Sequence, residues 1–170
     1  SRLVERLQAA GANVWVATPG ERHERVSKTE WKIRPTERED HANLLAEAAR
    51  TFGRPIGFVV HFWSLDAPPS EALEPESADL AQRLGCRSVL PLAQALVAEE
   101  EGRGRRLWLV TRGAQATDPG APGVEVCQAP TWGFGRTLFY EHPERAPALI
   151  DVDPVDPSRS IEDLWRALVS

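Results

Sequence analysis

The stretch Ile56-Gly57-Phe58-Val59-Val60-His61-Phe62-Trp63 determines how the rest of the chain is interpreted. Its apolar residues occupy both alternating sets of positions, so a strand here would present apolar side chains to both faces of a sheet. Strands of this kind lie inside parallel sheets that are covered by helices on both sides. We therefore expect residues 56–63 to form the central strand of an α/β domain.

Segments with strand and helix patterns alternate on both sides of this stretch. Helices are indicated where apolar residues recur at helical spacing, and one of them begins with a capping-box spacing between Thr36 and Glu39. The alternation predicts a doubly wound, mainly parallel sheet flanked by helices. The expected strands are 12–17, 31–33, 107–111 and 148–152, and the expected helices are 36–52, 78–100, 128–142 and 161–169.

The chain opens with a helical pattern rather than with a strand. Leu3, Val4 and Leu7 share one helical face, and Gly11 suits a helix C-cap. The chain also contains no methionine. We expect residue 1 to be a cut within a longer polypeptide, and the sheet to lack its first strand and so to carry an unpaired edge.

Composition and charge exclude several classes of protein. A chain of 170 residues, 42% hydrophobic and 26% charged, is long enough for one packed domain. A net charge of −5 argues against nucleic acid or a membrane surface as partners, because both are bound by clustered Lys and Arg. Two distant cysteines, Cys86 and Cys127, fit a reducing compartment and a fold without metal. With no signal-peptide or membrane-spanning pattern, we expect a cytoplasmic protein.

The glycine-rich turn that holds a dinucleotide in a doubly wound sheet is absent at the expected place. Such a turn joins the first strand to the first helix, because only glycine lets the backbone approach a pyrophosphate closely. Gly133 and Gly135 instead fall inside a predicted helix, which favours a role in helix packing. We expect this chain to bind no cofactor.

The histidines give one candidate for catalysis. His61 lies near Ser64 and Asp66, and a Ser/His/Asp set can be nucleophilic. No G-x-S-x-G motif supports that role, so a hydrogen-bonded core histidine is favoured. His23 and His41 occur in charged contexts that look exposed, and a structural or neutral role is expected for both.

Paired carboxylates are the remaining polar candidates. Glu39 and Asp40 lack partners at metal-ligand spacing, so surface solvation is expected for them. For Asp151 and Asp153 the alternatives are surface solvation and a cap at the end of a strand.

Three separated segments resemble the ketoreductase region of modular type I polyketide synthases. They are Leu107–Ala114, Gln128–Glu144 and Ala148–Pro154, and Val59–Asp66 adds support. The match is to the N-terminal, structural subdomain of that region, a degenerate, Rossmann-like unit related to short-chain dehydrogenases. The resemblance implies one subdomain over residues 1–170 that binds no cofactor and lies within a multifunctional synthase with acyltransferase and NADPH-dependent ketoreductase activities. NADPH and the catalytic residues are then expected in the other half of the ketoreductase.

The chain departs from an active reductase where a catalytic helix would carry Tyr with a basic or amide residue four positions later. The comparable spacing here holds Gln128 and Trp132, and neither can donate a proton to a developing alkoxide. Tyr140 is the only tyrosine, and Glu144 stands four residues after it. The expectation is therefore no catalytic, cofactor-binding or metal-binding residue.

The resemblance also implies a role for such a subdomain, because its helices would pack against the catalytic half as a second subunit does in short-chain dehydrogenases. We expect the chain to stabilise that half and to organise neighbouring synthase domains. Two alternatives stay open: a free-standing pseudo-ketoreductase that acts as an interaction module, and a small hydrolase-like enzyme that uses His61, Ser64 and Asp66. Each interface residue could equally face this domain's own sheet. The expected interface residues are Leu80, Leu84, Leu92, Leu96, Trp132, Leu138 and Phe139.

Overall fold

The computed structural model describes residues 2–72, 74–98, 105–116, 124–145 and 147–169. Strands and helices alternate along these residues, as the sequence predicts. The strands are β1 (Val16–Pro19), β2 (Glu24–Arg25), β3 (Glu30–Ile33), β4 (Phe58–His61), β5 (Arg106–Arg112) and β6 (Ala148–Val152). The helices are α1 (Arg2–Ala9), α2 (Arg38–Phe52), α3 (Pro75–Leu84), α4 (Cys86–Ala98), α5 (Ala129–Glu141) and α6 (Pro157–Val169).

The strands form two sheets of three strands each. One sheet has the order β1-β3-β2, with β1 parallel and β2 antiparallel to β3. The other has the order β4-β5-β6 and is entirely parallel, with Val60 beside Trp108 and Trp108 beside Ala148. The prediction that residues 56–63 form the central strand is wrong, because β5 occupies the centre and β4 pairs with β5 alone among the described strands.

Helices cover both faces of the parallel sheet. Leu107 and Leu109 of β5 pack in a core with residues of α2, α4 and α5, whereas Val110 packs in a second core with residues of α1 and α6. This alternation is the period of two of a strand, and it places one helix layer on each side of β5. The doubly wound, Rossmann-like α/β architecture is therefore confirmed.

Several boundaries differ from the sequence expectation. The helix predicted over 78–100 is two helices, because the chain turns at Gly85, whose N–H donates to Ala81 O at 2.9 Å. The short strand β2 was not predicted. The expected cap at Thr36 is wrong, since Glu37 occupies the N-cap position of α2 and its side chain makes no capping hydrogen bond.

The C-terminal ends of two helices were predicted correctly because each helix is followed by a glycine. Gly11 after α1 and Gly53 after α2 both have positive φ, at 84° and 64°. Glycine adopts this conformation without the steric cost that other residues incur.

Two polar residues that were expected to be solvated lie inside the fold. Asp40 is 1% exposed and accepts hydrogen bonds from the Arg34 side chain and backbone N–H. His41 is 3% exposed and its Nε2 lies 2.8 Å from Pro35 O. Surface solvation of Asp40 and an exposed position for His41 are therefore wrong, although the structural role expected for His41 agrees with this contact.

No helix in the part of the chain that the structure describes combines the length and apolar character needed to cross a membrane.

Candidate functional site

The carboxyl edge of the parallel sheet is where a doubly wound fold usually binds its ligand. In this chain the edge is formed by Trp63–Asp66 after β4, the loop that starts at Gly113 after β5, and Asp153 after β6. Gly113 has a φ of 64°, and its N–H donates to Val152 O at 3.2 Å. The first residue of the loop after β5 is thereby bound to β6.

Asp151 binds the next two residues of this loop, Ala114 and Gln115, and also Thr111 in β5. One carboxylate oxygen accepts hydrogen bonds from Thr111 Oγ1 at 2.7 Å and from the Ala114 N–H at 3.0 Å, and the other accepts from the Gln115 N–H at 2.9 Å. Asp153 caps the next turn, because its carboxylate accepts the Val155 N–H at 2.7 Å. Of the two alternatives left open by the sequence, the strand-end cap is the one that the structure forms.

Gln128 and Trp132, the residues at the positions compared with a catalytic helix, make hydrogen bonds to β5. Gln128 is 3% exposed, and its Oε1 accepts the Arg112 N–H at 2.9 Å. The Trp132 indole N–H donates to Thr111 Oγ1 at 2.7 Å. Both side chains therefore attach α5 to the sheet. Tyr140 lies near the other end of α5 and is 82% exposed.

His61 does not join Ser64 and Asp66 in a catalytic set. Its Nε2 lies 2.8 Å from Ser88 Oγ, whose own proton has the carbonyls of Leu84 and Gly85 as acceptors at 2.9 Å. The described hydrogen bonds connect His61 to neither Ser64 nor Asp66. Complete burial, with a smaller contribution from His41, lowers the pKa of His61 to about 3. His61 is thus a neutral core histidine, as the favoured interpretation expected, and Ser88 is the partner that the sequence did not reveal.

The glycines of the described residues do not form a dinucleotide-binding turn. Among the described residues, no glycine-rich turn joins a strand to the helix that follows it. Gly135 lies in α5 facing the sheet, where an added Cβ would overlap Leu149 Cδ2. Its lack of a side chain serves close packing between helix and strand, as the sequence predicted. No group of three His, Cys, Asp or Glu residues suited to a metal ion occurs in the described ranges.

The seven residues expected at an interface are divided between the core and the surface. Leu84, Leu92, Leu96 and Leu138 are buried within this domain, and the last three belong to the core between α4, α5 and β5. Trp132 is half-buried against Thr111. An external partner could contact Leu80 and Phe139, which are 44% and 54% exposed. Sequence periodicity did not single out Leu90, which is 46% exposed on α4.

Comparison with known proteins identifies the family. Residues 8–170 match the model of the Rossmann fold domain of the polyketide synthase extender module SpnB. The chain is 32% identical over 115 residues to the polyketide synthase GfsA of Streptomyces halstedii, a match that covers 68% of this chain and 1% of GfsA. It is 37% identical over 86 residues to the pikromycin polyketide synthase component PikAII of Streptomyces venezuelae, a match that covers 51% of this chain and 2% of PikAII.

Solved structures agree with this match. An A-type ketoreductase from a modular polyketide synthase superposes with a TM-score of 0.63 at 31% identity, over 85% of this chain and 29% of the other. The ketoreductase-containing module of a keto acid-selecting NRPS superposes with a TM-score of 0.77 over 98% of this chain and 14% of the other. At 23% identity, the second match shows the fold alone.

The chain thus spans a small fraction of each polyketide synthase named above, while the family model covers nearly all of the chain itself. Its fold, its order of motifs and these matches agree: the chain belongs to the Rossmann fold domain family of polyketide synthase extender modules and is the N-terminal subdomain of a ketoreductase region.

Proposed function

We propose that residues 1–170 form a single, non-catalytic structural subdomain that stabilises the catalytic half of a polyketide synthase ketoreductase. The observation that carries this proposal is the use of Gln128 and Trp132. Both side chains are bound to β5 at the edge where a short-chain dehydrogenase would perform its chemistry. A proton donor and a dinucleotide turn are both lacking at that edge in the described part of the chain.

The surface for the catalytic half lies on α4 and α5 in this proposal. Cys86 Sγ lies 3.4 Å from Pro130 O, so the first turns of the two helices are in contact. Leu90 follows Cys86 by one turn of α4, and Phe139 and Tyr140 project from α5 with their rings 5.8 Å apart. Covering these exposed apolar side chains would stabilise the complex by about 25 cal/mol for each Å² of apolar surface removed from water.

In this proposal NADPH binds to the catalytic half, and the reduction takes place there. The free-standing interaction module is the alternative that these contacts leave possible, because the same exposed face could bind another synthase domain. The hydrolase-like enzyme finds no support in the geometry, because His61 is bound to Ser88 rather than to Ser64.

Co-purification of this chain with the separately expressed catalytic half of its parent ketoreductase tests the proposal. We expect a complex that reduces a β-ketoacyl thioester mimic with NADPH, whereas the chain alone neither binds NADPH nor turns over the mimic. Phe139→Glu should weaken the complex by about tenfold or more, because a charge would be buried at the contact. Val155→Glu, at a site 75% exposed just after β6, is the matched control and should leave binding unchanged.

Two results would contradict the proposal. Specific NADPH binding or turnover by this chain alone would make it an enzyme in its own right. Failure of the two halves to associate, with both of them folded, would favour the interaction module.

A further inference from the structure

A groove lies beside α5, where the start of β6 packs against that helix. Its volume is about 350 Å³, and the residues that line it are Gly135, Arg136, Phe139, Tyr140, Pro147 and Leu149. Gly135 is buried, and Pro147 and Leu149 are half-buried, so these three residues form the floor. Arg136, Phe139 and Tyr140 are exposed and form the rim. The groove is therefore open to a partner and has an apolar floor.

The apolar surface of the groove extends from the sheet to the rim. An added Cβ at Gly135 would overlap Leu149 Cδ2, so α5 and β6 are in contact at this point. Phe139 follows Gly135 by four residues and lies on the same side of α5. Its exposed ring thus continues the apolar surface that Leu149 begins.

Arg136 is the one charged residue among the six that line the groove. Its guanidinium lies 5.8 Å from the centre of the Trp132 ring. No ion pair within the described part of the chain involves Arg136. Glu141 is the acidic residue of α5, and it follows Phe139 by two residues, so it lies about 160° away around the helix. The helix itself therefore brings no negative charge to the groove.

These properties define the chemistry of an occupant. A purely apolar occupant would cover Leu149 and Phe139 and would also remove water from the neighbouring Arg136 guanidinium without supplying a negative charge, which costs free energy. A carboxylate beside the apolar group avoids that cost, because a guanidinium can donate two parallel hydrogen bonds to a carboxylate. The Tyr140 hydroxyl can donate another. The groove is thus complementary to an apolar group with a carboxylate next to it.

A protein side chain fits this groove better than a free small molecule does. Sites for small molecules use several converging polar groups to fix orientation, whereas none of the six lining residues carries a buried polar side chain. Arg and Tyr are among the residues that contribute most to binding at protein interfaces. Phe139 and Tyr140 also belong to the exposed face of α5 on which the catalytic half is proposed to dock. The groove is continuous with that face.

We propose that this groove receives an apolar side chain of the catalytic half, and that a carboxylate next to that side chain pairs with Arg136. The inference rests on the proposed function, because it takes the catalytic half as the partner that docks on α5. It adds the chemistry that this partner presents: the apolar side chain covers Leu149 and Phe139, and the ion pair with Arg136 sets the register of the two halves.

The affinity of the separately expressed catalytic half for this chain, measured at about 50 mM and about 500 mM salt, tests the inference. Arg136→Gln should weaken binding by about tenfold or more at the lower salt concentration. It should also make the affinity less dependent on salt, because the ion pair is lost. Arg136→Lys keeps the charge without the paired hydrogen bonds, so it should weaken binding less.

The control is Arg159→Gln, which changes the net charge equally. Arg159 is exposed on α6, and α6 packs in the core on the other face of the parallel sheet. This variant should bind like wild type. The midpoint of thermal unfolding should be the same for all these forms, because both arginines are exposed, and this measurement separates a loss of affinity from a loss of folding.

An exchange of charges identifies the carboxylate on the catalytic half. Arg136→Glu should bind poorly, and replacement of one exposed aspartate or glutamate of the catalytic half by lysine should restore most of the affinity. A loss of binding that none of these lysine variants restores would overturn the inference.

The outcomes distinguish this inference from the proposed function. If Arg136→Gln binds the catalytic half as tightly as wild type at both salt concentrations, the inference is wrong and the proposed function stands. If the folded wild-type chain does not bind the catalytic half at all, the proposed function fails and the inference fails with it.

Discussion

The indole N–H of Trp132 donates a 2.7 Å hydrogen bond to the hydroxyl of Thr111, which in turn donates to Asp151. The chain of bonds links α5, β5 and β6 at the carboxyl edge of the parallel sheet.

Replacing Trp132 by Phe should therefore lower the free energy of unfolding by about 1–2 kcal/mol, since a partly buried hydrogen bond and some packing are lost. Urea unfolding at pH 7 measures this. A double-mutant cycle with Thr111→Val isolates the pair, and its coupling energy should be about 0.5–1.5 kcal/mol. A coupling energy near zero would mean that the bond contributes nothing to stability.

Gly135→Ala should destabilise the domain by about 1–3 kcal/mol, because the new Cβ would overlap Leu149 and lie 3.1 Å from Leu109 Cδ1. Gly133 lies in the same helix with nothing within 4 Å of an added Cβ. Gly133→Ala is therefore the matched control and should stabilise the helix by about 0.5–1 kcal/mol. Thermal unfolding compares the two, and equal effects would show that contact with the sheet does not determine the residue at 135.

Asp40→Asn should destabilise the domain at pH 7, because the Arg34 guanidinium and backbone N–H would lose a buried carboxylate. The hydrogen bonds from Arg34 lower the pKa of Asp40 below its usual value. Its ionised form therefore contributes stability above the pKa of an unfolded Asp, and that contribution is lost as the pH falls through the folded value.

The difference between wild type and Asp40→Asn in urea midpoint should accordingly shrink toward pH 3. Glu39→Gln, at the adjacent exposed carboxylate, is the control and should change the midpoint little at either pH. A difference that is the same at pH 7 and pH 3 would contradict the role of the ionised carboxylate.

His61 should stay neutral in the folded protein from pH 8 to pH 5, since burial lowers its pKa to about 3. Its ring-proton chemical shifts, followed by NMR, should show no titration over that range. The unfolded chain takes up this proton near pH 6.5, so stability should fall by up to about 1.4 kcal/mol per pH unit between pH 6.5 and pH 3. A midpoint between pH 6 and pH 7 would show that the histidine is accessible to solvent.

Much of the secondary structure could be predicted from local patterns. Residues 148–152 were expected as a strand and are β6, and 107–111 lie within β5. The helix expected over 36–52 is α2 with its start shifted to Arg38. These segments combine a helical period or a nearly continuous apolar run with glycine or proline close to their ends, so local propensity and tertiary packing agree. The short strand β2 has neither pattern, and it forms because β3 supplies its hydrogen bonds.

At the candidate site, the chemical properties of the side chains could be predicted from the sequence, but their hydrogen-bond partners could not. The sequence alone shows that neither Gln128 nor Trp132 can act as the proton donor of a reductase. Their partners Arg112 and Thr111 lie 16 and 21 residues away, and Ser88 lies 27 residues from His61. No local pattern records such pairings, which depend on how α4 and α5 pack against the sheet.

The sequence by itself determined the alternation of strands and helices and the family, because both depend on residue types at short spacing. The tertiary structure alone decided which carboxylate is buried and which histidine contacts which serine. Those features depend on contacts between residues far apart in the chain, and the free energy of such contacts is gained when the whole sheet and both helix layers are assembled.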